Sequence, residues 1–164
     1  MKKSYQYVIL LALVVFNFSN ANAQISKAEI RATGLTCSVC SNAINKQLKA
    51  LPEVAKVETD LNTNTFTVTL KENASISPKT FKESVEKAGF FIGSLALTSK
   101  SSFIKNEKYI LVDTKTIDSD QVTFQVLDKG YVTEKEFKKL SKSFKNVETY
   151  ASNNDDDFHI KIIN

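Results

Sequence analysis

The sequence predicts an α+β protein whose main part is an antiparallel sheet with two helices packed on one face. In residues 24–97, apolar side chains recur with the two-residue period of strands in four segments and with the helical period in two. The order of these segments is βαββαβ, which is the split βαβ or ferredoxin-like arrangement. The residues that begin and end the segments support the same assignment, so local and global signals agree.

The first strand and the first helix flank a loop that contains both cysteines of the chain. The stretch QISKAEIRAT, residues 24–33, shows imperfect alternation of apolar residues and predicts a strand. After the loop, Ile44, Leu48 and Leu51 recur at helical spacing. Pro52 follows, and a proline cannot continue a helix, so we expect the helix to end there.

The rest of this half predicts two strands, a second helix and a final strand. The segments VAKVETDL and FTVTL, on either side of the turn NTNT, are typical of strands. Ser77 is the expected N-cap of the second helix, with Pro78 at its first position and Gly89 at its end. The segment FFIGSLALT predicts the last strand of this half. We therefore assign residues 24–97 to one ferredoxin-like domain.

The remainder predicts a smaller α+β unit of order ββαββ at residues 103–164, after a polar linker at residues 98–102. Thr133 and Glu136 form a capping box at the start of its helix. The segments VETYAS and FHIKII predict its last two strands. A unit of about 60 residues is only marginally stable by itself. We therefore expect it to pack on the first half or to form part of a larger interface, and its role stays open.

Residues 1–23 resemble a signal peptide. Lys2 and Lys3 precede an apolar stretch, and small residues lead to an Ala-x-Ala cleavage site that ends at Ala23. The apolar run is about 12 residues, shorter than the roughly 20 that span a bilayer, so a cleaved segment is favoured over an uncleaved anchor. We expect a mature protein that is soluble and periplasmic or secreted.

Composition argues against nucleic-acid binding and catalysis. The formal net charge is +4, and loss of Lys2 and Lys3 lowers it by two to +2. There is no dense basic block with interleaved aromatic residues, so a nucleic-acid role is not expected. The chain has four glycines and one histidine, which leaves no phosphate-binding glycine loop and no support for a catalytic triad. We expect neither enzymatic activity nor an organic cofactor.

Cys37 and Cys40 form a Cys-x-x-Cys motif where the first strand passes into the first helix. Residues three apart at the start of a helix face the same side, so both sulfur atoms can reach one ion. The helix N-terminus also stabilises a thiolate. The motif is therefore the candidate functional site of the chain.

Three chemistries are open for this cysteine pair. A structural zinc site takes four Cys or His ligands, and the chain has only two cysteines and one histidine. Two soft thiolates suit Cu(I), and also Hg(II), so the ligand count favours a soft ion. A thioredoxin-like redox couple also uses this motif, but the surrounding βαββαβ pattern is different. A structural disulfide would close a very short loop and would stabilise the chain little.

The segments GLTCSVC, LPEVAKVETDL and VEKAGF together resemble the heavy-metal-associated domain family, over roughly residues 25–97. This family includes copper chaperones, modules of copper-transporting P-type ATPases and periplasmic mercury-binding proteins. The resemblance implies a ferredoxin-like fold with Cys37 and Cys40 as ligands of Cu(I), or alternatively of Hg(II). It also implies a metal-transporting membrane protein or another metallochaperone as partner.

Three positions near the motif refine this resemblance. Leu35 stands where the family usually has Met, a residue that packs under the metal loop, so metal binding should survive the exchange. Thr36 stands where some zinc-handling relatives have Asp, which favours monovalent copper. Phe90 matches an aromatic position beside the site, where several cytoplasmic chaperones have Lys, so a eukaryotic-style chaperone role is disfavoured. We expect Leu35 and Phe90 to be core residues.

Two further features carry weaker signals. The acidic run at Asp155, Asp156 and Asp157 lacks the spaced ligands of a calcium loop, so we interpret it as a solvated hairpin tip. His159 lies in a predicted strand and is an ordinary surface or core residue in our interpretation, rather than an extra copper ligand.

Overall fold

The computed structural model describes residues 25–36, 38–106, 108–113, 117, 119–152 and 157–163. The predicted signal peptide, residues 1–23, lies outside these ranges, as do Cys37, Asp155 and Asp156. No helix within the described residues combines the length and the apolar character needed to cross a membrane.

The described elements begin with the predicted order βαββαβ. Their bounds are β1 Ile25–Thr33, α1 Ser38–Lys49, β2 Val54–Asp60, β3 Thr65–Leu70, α2 Pro78–Lys87 and β4 Phe91–Lys100. A short 3-10 turn follows, and then come β5 Tyr109–Leu111, β6 Gln121–Val126, α3 Glu134–Ser143, α4 Glu148–Ser152 and β7 Phe158–Ile162. The ferredoxin-like order of the first half is thus confirmed.

The described strands form a single sheet with the order β2-β3-β1-β4-β6-β7-β5. All neighbouring pairs are antiparallel except β5 and β7, which run parallel. The first four strands are those of the ferredoxin-like half, and the last three come from the C-terminal half. The C-terminal half therefore extends the sheet at the β4 edge.

One hydrophobic core crosses from the first half into the second. Ile30 in β1 and Phe66 in β3 are fully buried under the helices of the first half. Phe124 in β6 and Ile160 in β7 are also fully buried and belong to the same cluster. Burial of apolar surface is the main stabilising term in folding. The two halves are therefore stabilised by the same core.

Residues 98–100, where the sequence predicted the start of a linker, are instead the last three residues of β4. Thr98 pairs with Lys27 in β1 on one side and with Thr123 in β6 on the other. Ser99 is fully buried. These polar residues belong to the sheet because β4 is hydrogen-bonded to β1 on one side and to β6 on the other. Residue composition alone does not indicate such pairing.

The C-terminal half also differs from the predicted order ββαββ. The segment VETYAS, predicted as a strand, contains the short helix α4. Val147 and Tyr150 both contribute to a second hydrophobic cluster. Residues three apart share a face of a helix but lie on opposite faces of a strand, so this common burial requires the helical turn.

The capping box that introduces α3 is present. The Oγ1 atom of Thr133 accepts a hydrogen bond from the backbone N–H of Glu136 at 3.2 Å. Phe137 and Leu140 in α3, together with Phe144 at its C-cap, pack against the second cluster. These three side chains form the apolar face at this helix.

Helices α3 and α4 lie on the sheet face opposite to α1 and α2. In β7, Phe158, Ile160 and Ile162 point into the main core. Side chains alternate along a strand, so His159 points to the other face. There its ring contacts Tyr150 of the second cluster, with ring centroids 5.0 Å apart.

Candidate metal centre

The loop that carries the cysteine motif starts at a fixed point. Thr33 ends β1, and its Oγ1 donates a hydrogen bond to the backbone carbonyl of Phe91 at 3.3 Å. Gly34 follows with a φ of +84°, a left-handed conformation that suits glycine. These two residues turn the chain from β1 towards α1.

Cys40, the cysteine of the motif that the structure describes, lies at the start of α1. Cys40 is the third residue of this helix and is partly buried. Cys37 lies outside the described residues, and in the sequence it immediately precedes Ser38, the first residue of α1. Among the described residues, no three His, Cys, Asp or Glu side chains gather at one point.

The electrostatics of α1 favour a negative charge at the position of Cys40. The helix contains no acidic residue, and Lys46 and Lys49 lie in its last turn. The N-terminal backbone N–H groups and the positive end of the helix dipole are directed at the loop.

Leu35 and Phe90 are core residues next to the cysteine loop, as the sequence predicted. Both are partly buried and pack against the main core. A Cβ atom placed on Gly34 would lie 3.9 Å from Cδ1 of Phe90, so the aromatic ring lies directly beside the turn. The next residue, Phe91, is 68% exposed. Thr36 is exposed and does not contribute to the core.

A groove runs along the outer side of α1, next to the cysteine loop. Its volume is about 420 Å³, and it lies between α1 and the end of β2. Val39, between the two cysteines, is 76% exposed and lines it together with Leu61 and Asn45. The Asn45 side chain donates to Oγ1 of Thr59 at 2.7 Å, which ties the helix to β2.

His159 is not part of this site. It is almost fully buried, and its Nδ1 lies 2.7 Å from a carboxylate oxygen of Asp128. Its Nε2 lies 2.9 Å from Oγ1 of Thr149. Both ring nitrogens are thus engaged within the C-terminal half, and the interpretation of His159 as a core residue is confirmed.

Sequence reasoning missed the contribution of Gly93 to the site. This residue lies in β4 where the register with β1 shifts, between the pairs Arg31–Ser94 and Ala32–Ile92. A Cβ atom at position 93 would lie 2.5 Å from Cγ2 of Thr33, too close for any side chain. A lone glycine inside a predicted strand is the signal that indicates such a bulge or close approach.

Two copper-transporting ATPases are similar to part of this chain. A probable copper-transporting ATPase of Arabidopsis thaliana is 31% identical over 83 residues, which cover 51% of this chain and 7% of that protein. A copper-transporting ATPase of Saccharomyces cerevisiae is 42% identical over 57 residues, which cover 35% of this chain and 6% of that protein. The chain thus spans less than a tenth of the length of these relatives.

Solved structures of copper-handling domains also align with part of the chain. The yeast copper transporter domain Ccc2a is 37% identical, with a TM-score of 0.36, over 40% of this chain and 88% of that domain. The N-terminal domain of a potential copper-translocating P-type ATPase from Bacillus subtilis is 34% identical, with a TM-score of 0.35, over 41% of this chain and 82% of that domain.

The family match covers the elements that build the site. Residues 29–91 match the sequence model of the heavy-metal-associated domain. This range begins within β1 and includes the cysteine loop, both helices of the first half and the start of β4. Residues 29–91 of this chain therefore form a heavy-metal-associated domain.

Proposed function

We propose that this protein binds a soft metal ion, Cu(I), through Cys37 and Cys40 and passes the ion to a partner protein. The observation that carries the proposal is the position of the Cys-x-x-Cys motif, with Cys40 in the first turn of α1, inside a heavy-metal-associated domain. The curated relatives of this segment are named copper-transporting ATPases, which supports copper as the ion.

The chemistry of the two thiolates fits a low-coordination soft ion. Thiolates prefer Cu(I) over hard cations, and two of them satisfy its near-linear geometry. Hg(II) has the same preference and is the second ion that we propose for this site. The complex of two thiolates with Cu(I) carries one negative charge, which the positive end of the α1 dipole offsets.

Transfer would proceed by ligand exchange. A thiolate of the partner attacks the bound ion, and one of the two cysteine sulfurs leaves as thiolate. A second attack releases the other sulfur, so the oxidation state of the ion does not change. The exposed Val39 and the groove beside α1 lie next to this loop and support docking there of a metal-transporting membrane protein or another metallochaperone.

The predicted signal peptide supports an exported, periplasmic or secreted protein. Oxidising compartments favour disulfides, so the cysteine pair must be reduced before it binds an ion. A Cys-x-x-Cys pair at a helix N-terminus is also used for thiol–disulfide exchange, which makes a redox protein the second candidate function.

The test is a titration of the reduced mature chain, residues 24–164, with Cu(I) in competition with a chromogenic chelator. We expect stoichiometric binding that is lost in Cys37→Ser and in Cys40→Ser. Val39→Ala is the matched control, since it changes an exposed residue between the cysteines without removing a sulfur. Binding that both serine variants retain would overturn the proposal.

A parallel assay separates the redox candidate. The reduction potential of the cysteine pair and the rate of insulin disulfide reduction are measured on the metal-free protein. Catalysis of insulin reduction without stoichiometric Cu(I) binding would replace the metal proposal by the redox function.

A further inference from the structure

The C-terminal half approaches the base of the cysteine loop at Thr133, beside Gly93 in β4. This residue is the N-cap of α3, and its Cγ2 would lie 3.7 Å from a Cβ atom at position 93. The same added Cβ atom would lie 2.5 Å from Cγ2 of Thr33. Gly93 is thus covered by two threonine methyl groups, one from β1 and one from α3.

Thr33 connects this contact to the metal loop. It ends β1 four positions before Cys37 in the sequence, and its hydroxyl is hydrogen-bonded to the carbonyl of Phe91 at 3.3 Å. Gly93 is the extra residue of a β-bulge in β4, opposite the last residues of β1. The position of Thr33 therefore sets where the loop leaves the sheet.

Three contacts involve the residues that directly precede Thr133. Val132 forms a β-bridge with Ser94, the neighbour of Gly93 in β4. On the side of α2, the Nζ of Lys82 lies 5.5 Å from the ring centroid of Tyr131, a cation–π distance. A Cβ atom at Gly130 would lie 2.9 Å from Cε of Lys82, so this segment also packs on the α2 side chain.

We propose that residues 103–164 position the metal loop, acting through the contacts of Thr133 with Gly93 and of Gly93 with Thr33. This inference rests on the proposed function in that the loop is taken to bind Cu(I). A loop whose base is held in the binding geometry loses less conformational freedom when the ion binds, and its affinity is higher. Thr33, Gly93 and Thr133 are positioning residues, and none of them is a metal ligand.

The first test is Gly93→Ala. The added methyl overlaps Cγ2 of Thr33, so Thr33 and the start of the loop must shift. We expect the affinity for Cu(I) to fall by about tenfold, the usual scale for groups that orient metal ligands. Thr33→Ser keeps the hydroxyl and removes the overlapping methyl, so the double variant should recover most of the affinity.

The second test addresses the C-terminal half directly. Thr133→Ser keeps the capping oxygen and removes only the methyl that lies beside Gly93. We expect an affinity loss of up to about fourfold, the equivalent of one buried methyl group. Thr123→Ser is the matched control, because it makes the same change in β6 opposite Thr98, near the other end of β4. It should leave the affinity unchanged.

A third readout reports loop geometry without metal. The rate at which a thiol reagent modifies the cysteines of the metal-free protein depends on how the loop is held, and far-UV circular dichroism confirms that each variant is folded. We expect faster modification in Gly93→Ala and Thr133→Ser than in Thr123→Ser or wild type. This readout retains its meaning even if the wild type does not bind Cu(I).

The outcomes separate the two proposals. If Cu(I) binding depends on both cysteines but Gly93→Ala and Thr133→Ser match wild type in affinity and thiol reactivity, the positioning role is overturned and the metal function stands. If wild type binds no Cu(I), the metal function is overturned, and the thiol reactivities then decide the positioning role alone.

Discussion

The Nδ1 atom of His159 and the Oδ1 atom of Asp128 are 2.7 Å apart, and the backbone N–H of His159 donates to the other carboxylate oxygen, also at 2.7 Å. Asp128 lies two residues after the end of β6, and His159 lies in β7. A single carboxylate thus satisfies two buried donors of one residue. A buried donor that loses its acceptor costs free energy, so this pair fixes the joint between the two strands.

Removal of this carboxylate is expected to destabilise the fold. Asp128→Ala leaves two donors of His159 without an acceptor, and we expect the free energy of unfolding to fall by about 2–4 kcal/mol. Urea unfolding followed by circular dichroism measures the change. Glu134→Ala is the control: this exposed carboxylate lies 3.8 Å from Lys138, and its loss should cost less than about 1 kcal/mol. Equal effects of the two substitutions would contradict the role of Asp128.

The shared core predicts that both halves unfold together. Phe124 is fully buried in the cluster that also contains Ile30 and Ile160. Phe124→Ala should lower the free energy of unfolding by about 3–5 kcal/mol. Amide hydrogen exchange measured by NMR should show equal loss of protection at Ile30 and Ile160. Loss of protection at Ile160 alone would mean that the C-terminal half unfolds independently.

Tyr150 is expected to make stability sensitive to alkaline pH. Burial, with a smaller contribution from the negative charges of Asp128 and Glu136, raises the pKa of its phenol. The unfolded chain loses this proton near pH 10, so the stability contribution is complete below about pH 10 and decreases as the pH rises further. Burial raises the pKa of Tyr109 in the same way.

The substitution Tyr150→Phe isolates this contribution. The phenol donates to the carbonyl of Leu127 at 2.8 Å, so its loss should cost about 1 kcal/mol at neutral pH. Above about pH 10 the variant should lose stability less steeply than wild type, because one raised pKa is absent, while Tyr109 maintains part of the slope. Urea unfolding at a series of pH values gives both quantities, and an unchanged slope would refute the prediction.

Substitutions of Leu35 test whether the side chain at this position only packs under the loop or also binds the metal ion. Leu35→Met conserves volume, so we expect a stability change below about 1.5 kcal/mol and no change in Cu(I) affinity. Leu35→Ala removes apolar contacts with the core and should cost about 2 kcal/mol. A marked gain in Cu(I) affinity in the methionine variant would show that this side chain reaches the ion.

Much of the first half could be predicted from local sequence. The alternation in FTVTL indicated β3, and Ser77 with Pro78 indicated the start of α2, because these signals act over a few residues. The cysteine motif was identified from residue type and spacing, and Leu35 and Phe90 from the resemblance to the heavy-metal-associated domain family. The extent of β4 was not, since Thr98 and Ser99 are polar residues whose strand conformation depends on partners distant in the sequence.

The sequence by itself determined the βαββαβ order, the capping of α3 and the position of Cys40 in the first turn of α1. Only the tertiary structure decided that β6 occupies the free edge of β4, that Tyr150 lies on a helix, and that Thr133 reaches Gly93. The physical reason is that periodicity and capping are local, whereas every strand offers the same backbone donors and acceptors at its edges. Which distant segment fills an edge depends on the packing of the whole chain.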